Sequence, residues 1–307
     1  MSTDIKITEL KEPLPKTEKV VIRSEGRARW RWKKAGYATL VYLGVLIFLV
    51  WTLVPLLWLF GTAFKLPRDY NADPPMLIPS EFSMDGFNTA FGQFKAGNFL
   101  LNSVTITAGS TVLAMAIGLL AAYSLSRFNF RGRGSASMLL LGLRMFPVVA
   151  LAIPVFVIFK TLNLLNTQIG LILAMQLVQL PYVVWMMKGF FDDLPQELEE
   201  AGLIDGCTRF GTFWRICLPL VAPGIVATST FAAILSWNEF FLPLLLTQTD
   251  ATQPVPLLVA SFVDPAKGVL WSEISAVSSV SILPVLAFSL LMQRYLVRGL
   301  TGGAVNN

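Results

Sequence analysis

The feature that most limits what this chain can fold into is a set of long stretches without a charged residue. Residues 35 to 64 carry none, and neither do residues 96 to 126. Four further stretches follow: about 138 to 159, interrupted only by Arg144, then within 161 to 187, within 216 to 246 and within 274 to 293. A helix needs about 20 apolar residues to cross the hydrocarbon layer of a bilayer, so each stretch is long enough for one span. The expected fold class is therefore an all-α polytopic membrane protein with six transmembrane helices. Composition agrees, because only 14% of the 307 residues are charged, against roughly a quarter in ordinary soluble domains. Mean hydropathy is +0.63. Disorder, nucleic-acid binding and a disulfide scaffold are disfavoured by the same numbers.

The net charge of +5 has a specific address. Residues 1 to 34 hold ten Lys and Arg against five Asp and Glu, and the remainder of the chain is balanced. The first apolar run is too long for a cleaved signal peptide and continues through Val54-Pro55-Leu56-Leu57-Trp58. It reads as a retained first helix, with Arg27, Arg29, Arg31, Lys33, Lys34 and the interleaved Trp30 and Trp32 anchoring it at the cytoplasmic surface. With the N-terminus inside, eighteen basic residues fall on the cytoplasmic side and five outside: Lys65, Arg68, Lys95, Lys160 and Lys267. The expected topology is N-in and C-in, with the larger external segments at about 65 to 99 and 247 to 272. The expected domains are a basic tail at 1–34, a transmembrane domain at 35–297 with a cytoplasmic loop at 188–219, and a cytoplasmic tail at 298–307. Residues 1 to 29 read as weakly ordered and are assigned no activity.

Hydrolytic and metal chemistry find no support. The chain has no histidine, which removes the commonest general base and metal ligand. Cys207 and Cys217 lie ten residues apart with no metal-clip spacing and are expected to be reduced. The expectation is no catalytic residue, no metal and no cofactor on this chain.

The informative segment lies between the fourth and fifth stretches: Leu194-Pro195-Gln196-Glu197-Leu198-Glu199-Glu200-Ala201-Gly202-Leu203-Ile204-Asp205-Gly206. Pro195 suits the first position of a helix, the acidic residues suit its early turns, and Gly206 suits its end. Phe210, Phe213 and Ile216 then recur at a spacing of three and give one apolar face. The segment reads as a protruding knob, fit either for a socket on a cytoplasmic partner or for lying on the membrane surface.

This segment resembles the EAA loop of ABC importer permeases, whose pattern is Glu-Ala-Ala, three residues, Gly, nine residues, Ile, one residue, Leu-Pro. Glu200, Ala201, Gly202, Gly206, Ile216, Leu218 and Pro219 stand in those places, with Gly202 replacing the second alanine. Phe146-Pro147, Ile153-Pro154, Leu164-Leu165-Asn166-Thr167, Leu180-Pro181, Ser236-Trp237-Asn238-Glu239-Phe240, Gln293-Arg294-Tyr295 and Val297-Arg298-Gly299-Leu300-Thr301 resemble the carbohydrate branch, in particular the MalG-type second membrane subunit of maltose-like importers. At the end of the chain Gly302 and Asn306 depart from that pattern, which has alanine and lysine there.

The resemblance implies a type I importer transmembrane domain. The helix around 195 to 206 would couple to an ATPase subunit, with Glu200 meeting a basic residue there, Gly206 making the turn, and Ala201, Gly202, Asp205, Phe210, Phe213, Ile216, Leu218 and Pro219 completing the site. It further implies a second permease subunit, as a heterodimer or a homodimer, two ABC ATPase subunits that carry ATP and Mg, and an extracytoplasmic sugar-binding protein that docks at about 247 to 272 near Asp250, Asp264 and Lys267. None of the glycines precedes a lysine, so the phosphate-binding GxxxxGK[ST] loop is missing from this chain. A permease of another ABC branch and a self-sufficient carrier or channel are the alternatives.

Several residues admit two readings. Trp237, Asn238 and Glu239 could contact sugar, through an aromatic face and hydroxyl-reading polar groups. Counted from the start of the fifth span they fall near the outer interface, where tryptophan is enriched in any case. Arg144 is expected near the cytoplasmic end of the third span, with snorkelling to the headgroups set against a functional role. Glu273 reads as an interfacial residue. Pro147, Pro154, Pro181, Pro219, Pro223, Pro243 and Pro284 sit in or beside the apolar runs and mark either kinks around a pathway or tolerated prolines.

Overall fold

The computed structural model describes residues 25–74, 76–264 and 268–302, with side chains between Tyr37 and Leu290. The tail before residue 25, Lys267 and the closing residues 303–307 lie outside the described residues. A first unit ends at Leu56. It holds most of helix α1 (Glu25–Thr62), which starts just before the basic cluster and includes the apolar segment Tyr37–Thr62.

The second unit, from Leu57 on, is built around α2 (Ala96–Arg127), whose 32 residues span about 48 Å at roughly 1.5 Å per residue. After it come α3 (Arg133–Met145), α4 (Ala152–Thr161), α5 (Gln168–Ala174) and α6 (Gln176–Asp192). Then follow α7 (Glu197–Ile204) and, after a mixed helical stretch at 209–220, α8 (Ala222–Trp237), α9 (Phe241–Leu246), α10 (Val255–Ser261) and α11 (Trp271–Gly302). Among the described residues the strands form one minimal antiparallel pair, Val263–Asp264 with Gly268–Val269.

Three segments are long and apolar enough to cross a membrane alone: Tyr37–Thr62, α2 and Trp271–Leu290. The other three apolar stretches are bent. Arg133–Met145 turns by 101° into Val148–Thr161, α5 by 42° into α6, and Arg209–Leu220 by 76° into α8. Counting each bent pair as one span gives six among the described residues. Proline accounts for two of the breaks. Pro147 sits at the first, and Pro219 and Pro223 flank Val221 at the third; a proline supplies no N–H to the helical ladder. Pro181 and Pro284 instead lie within α6 and α11.

The third span differs from its expected bounds, with a consequence for Arg144. Its first half begins at Arg133, so Arg144 falls in the last turn of α3 beside the break and not at the start of the span. Its guanidinium lies 5.2 Å from the centre of the Tyr182 ring of α6, within cation–π range. Glu273, expected at an interface, is buried at the start of α11, where the Ser272 hydroxyl donates to its carboxylate at 2.9 Å.

Small residues let α2 and α6 approach closely, as membrane helices without large side chains between them do. Ala114 and Ala122 are fully buried, and a Cβ on Gly118 would stand 2.5 Å from a Val183 methyl. Apolar clusters lie along α2. One toward Arg127 includes Tyr123, Phe191, Phe213 and Cys217. Another, toward Ala96, includes Phe99, Val255, Leu258, Phe262 and Val277. The external segment expected at 247 to 272 is thus partly folded inward, because α10 contributes to this second cluster.

Candidate functional site

The knob forms at the Arg127 end of α2. Its helix α7 begins at Glu197 with Gln196 at the cap, so Pro195 precedes the helix instead of opening it. Its far end follows expectation. Gly206 has φ of +88°, Cys207 N–H donates to Gly202 O at 2.9 Å and Gly206 N–H to Leu203 O at 3.1 Å. This 6→1 and 5→2 pair closes a helix on a left-handed residue, which glycine adopts without a side-chain penalty.

Helical periodicity splits α7 into two faces. Glu197, Leu198, Glu200, Ala201, Leu203 and the terminal Asp205 are exposed, while Gly202 is buried and Glu199 partly so. Gly202 touches the next helical stretch: a Cβ there would lie 2.4 Å from Ile216 Cδ1 and 3.4 Å from Thr212 Oγ1. The glycine in place of the motif's second alanine therefore marks a close approach of two elements.

Beyond Gly206, the Thr208 hydroxyl accepts from Gly211 N–H at 3.1 Å and caps a new helical start. The stretch Phe213–Cys217 is wound as a π-helix. The expected face of Phe210, Phe213 and Ile216 is not buried as one. Phe213 and Cys217 are buried and Ile216 half-buried, while Phe210 is exposed and stacked at 6.4 Å on the exposed Trp214. Leu218 is half-buried and Pro219 exposed at the foot of the stretch.

What fastens the knob to α2 was not visible in the motif. Arg127 Nε donates to Glu199 Oε1 at 2.5 Å, and Tyr123 Oη donates to Glu199 Oε2 at 2.9 Å. Arg127 also donates to Leu194 O at 2.8 Å. Only 7% of the Arg127 side chain and 13% of Glu199 are exposed. Ser126 donates to Asp192 at 2.6 Å, and Asp192 in turn pairs with Lys188. This joint was not among the expected site residues; the signals left unused are Tyr123 and Arg127, four residues apart on one helix face, and three carboxylates within four residues of α7, which cannot all face outward.

At the Ala96 end, two asparagines shape the loop 247–253. The Asn166 side-chain oxygen accepts from Gln248 N–H, Thr249 N–H, Thr249 Oγ1 and Thr252 Oγ1 at 2.8 to 3.1 Å. The buried Asn102 donates to Ala251 O at 3.1 Å and Gln253 O at 3.0 Å and accepts from Gln168 at 2.7 Å. Asp250, in this loop, is exposed, and Asp264 lies in the strand pair.

Trp237 is not at the end of the molecule. Its neighbour Ser236 shares a 3.0 Å hydrogen bond with Ser110, which lies near the middle of α2. The 76° bend explains this, because Arg209–Leu220 runs aside and only α8 rises along α2. Trp237 helps to line a cavity of about 400 Å³ with Thr107, Thr111, Ser229, Pro284 and Phe288. Asn238 and Glu239 are engaged by the backbone. Asn238 Nδ2 donates to Ile234 O at 2.8 Å, and Glu239 Oε1 accepts from Phe241 N–H at 3.0 Å and Leu242 N–H at 3.1 Å.

Residues 114–302 match the family described as "Binding-protein-dependent transport system inner membrane component". The chain is 34% identical over 251 residues to the diacetylchitobiose uptake system permease protein DasC of Streptomyces coelicolor, covering 82% of this chain and 91% of that protein. It is 31% identical over 270 residues to the trehalose/maltose transport system permease protein MalG of Thermococcus litoralis, covering 87% and 96%. Its fold is similar to that of a chain in the crystal structure of a bacterial ABC transporter involved in the import of the acidic polysaccharide alginate. The TM-score is 0.72, with 86% of this chain and 97% of the other covered at 20% identity.

Proposed function

Because the chain belongs to the family of binding-protein-dependent transport system inner membrane components, we propose that it is the membrane-spanning permease subunit of an ATP-driven importer whose cargo is a carbohydrate. The cargo class rests on the named uptake systems of its relatives, for diacetylchitobiose and for trehalose and maltose. It sits in the bacterial cytoplasmic membrane with both termini inside and forms half of the pathway. A second, different permease subunit forms the other half, two ABC ATPase subunits bind ATP and Mg, and an extracytoplasmic binding protein delivers the sugar. This chain is non-catalytic.

The observation that carries the reading is the division of α7. Glu200 and Ala201 are exposed, whereas the opposite face is fastened through Glu199 and Gly202. A short helix fixed on one side and bare on the other suits a socket. Glu200, Ala201, Asp205 and the exposed Phe210 would enter a groove of the ATPase. Gly202, Gly206, Phe213, Ile216, Leu218 and Pro219 would hold the helix in its pose. When two ATPases close on ATP, the knobs are drawn together and the helices behind them turn the cavity from one side of the membrane to the other, a rigid-body exchange of packing. Trp237, level with the middle of α2 beside an open cavity, is the residue of its group best placed to meet a sugar face; Asn238 and Glu239 act through the helix ends they cap, α8 at its close and α9 at its start.

Glu200→Lys tests this directly. The variant is expected to insert normally while losing copurification of the ATPase and sugar uptake. Normal uptake by a Glu200→Lys complex would sink the coupling assignment.

A further inference from the structure

We propose that Glu199 and Arg127 are positioning residues for transport: they form the latch through which displacement of the knob is passed to α2. This rests on the importer reading above. The motif residues Glu200 and Ala201 are exposed, and among the described residues no hydrogen bond or ion pair ties their side chains to α2. One residue earlier, both oxygens of the Glu199 carboxylate are held by α2, by Arg127 at 2.5 Å and by Tyr123 at 2.9 Å. Tyr123 and Arg127 are one helical turn apart, so the carboxylate is clamped by a single rigid face.

The clamp has the features of a mechanical joint. Arg127 bonds α7 through Glu199 and the preceding turn through Leu194 O at 2.8 Å, so one guanidinium ties two points of the knob. It also closes the last turn of α2, where a cation complements the helix dipole. Tyr123 packs against Phe213 at 4.8 Å and Phe191 at 5.5 Å between ring centres. The joint therefore reaches both the stretch after the knob and the helix before it. Near the middle of α2, Ser110 meets Ser236 beside the cavity that Trp237 lines. A pull on the knob has a continuous bonded route to the cavity wall. A charge-assisted, water-poor joint transmits such a pull with less slip than an exposed ion pair.

The test uses the complete importer, purified with its ATPases and reconstituted in liposomes with its binding protein and sugar. Sugar uptake is measured per ATP hydrolysed. Glu199→Gln keeps the side-chain shape and removes the charge. It is expected to retain the wild-type ratio of ATPase to permease while uptake per ATP falls at least tenfold. Tyr123→Phe removes one of the two bonds and is expected to lower uptake per ATP two- to fivefold; it decides the matter if Glu199→Gln does not accumulate. An assembled Glu199→Gln complex with wild-type uptake per ATP overturns the latch, as does unchanged uptake per ATP in Tyr123→Phe. Loss of the ATPase from Glu199→Gln also overturns it, since the pair would then serve docking. Failure of the importer reading looks different: wild-type chain would show no ATP-driven sugar uptake at all.

Discussion

At its Arg127 end, α2 meets the loop before α8 through one buried ion pair and a tyrosine hydroxyl. At its Ala96 end, the same helix meets the loop 247–253 through the amide of Asn102, with Asn166 gathering four donors from that loop beside it. The first connection concentrates its strength in two charges that cannot be separated cheaply once buried. The second spreads it over neutral bonds worth about 0.5–1.5 kcal/mol each. A charged joint tends to hold or fail as a unit, whereas an amide staple yields one bond at a time. On the proposed importer reading, the first suits an end that is pulled, and the second an end that docks the binding protein.

Removing one charge is the strongest way to break this contrast. Arg127→Ala leaves the Glu199 carboxylate buried without its cation, and stranding a buried charge costs about 3–5 kcal/mol. A thermal-inactivation series on the solubilised complex should show a large loss, bigger than for Asn166→Ala, where most of the freed donors are exposed and turn to water. Asn166→Ala should come next. It removes the shared acceptor and asks alanine to take φ near +56°, where left-handed backbone costs about 1–2 kcal/mol. Hydrogen exchange should quicken at residues 247–252 and stay unchanged at 197–206; equal change in both would erase the distinction between the ends. Gly202→Ala sharpens the picture with the smallest effect. The new Cβ displaces only the tip of Ile216, at about 0.5–1.5 kcal/mol for a strained rotamer, against a helix-propensity gain of about 1 kcal/mol. Stability within roughly 1 kcal/mol of wild type is expected; complete loss of the folded complex would show the contact to be tighter than described.

The sequence was most legible where one residue type has one physical use. Charge-free runs located the apolar stretches, Gly206 marked a helix end, and the prolines at 147, 219 and 223 anticipated two of the three bends. It was less legible where geometry depends on partners distant in the chain. Phe210 keeps ring contact with Phe213 at 6.3 Å yet is exposed, because the buried side of this stretch runs from Phe213 to Cys217 along the π-turn. Trp237 moved inward because the 76° bend takes the preceding stretch out of line. Arg127 could be weighed only as one basic residue among eighteen, since its partner lies 72 residues later. Asn166, by contrast, stands within the recognisable block Leu164-Leu165-Asn166-Thr167, and the structure shows what the block does. Asn166 gathers the loop, and Thr167 caps α5 by accepting from Gly170 N–H at 3.0 Å.

The most direct measurement is site-specific cross-linking of the assembled importer, with Cys207 and Cys217 replaced by alanine. A single cysteine is placed at Ala201, on the exposed face of α7, or at Gly202 on the buried face. Ala201→Cys is expected to cross-link to an ATP-hydrolysing subunit with a yield that changes when ATP is added, and Gly202→Cys is expected to give none. An Ala201→Cys importer that still takes up sugar with ATP, yet never cross-links to its ATPase, would contradict the assignment of this knob as the coupling element.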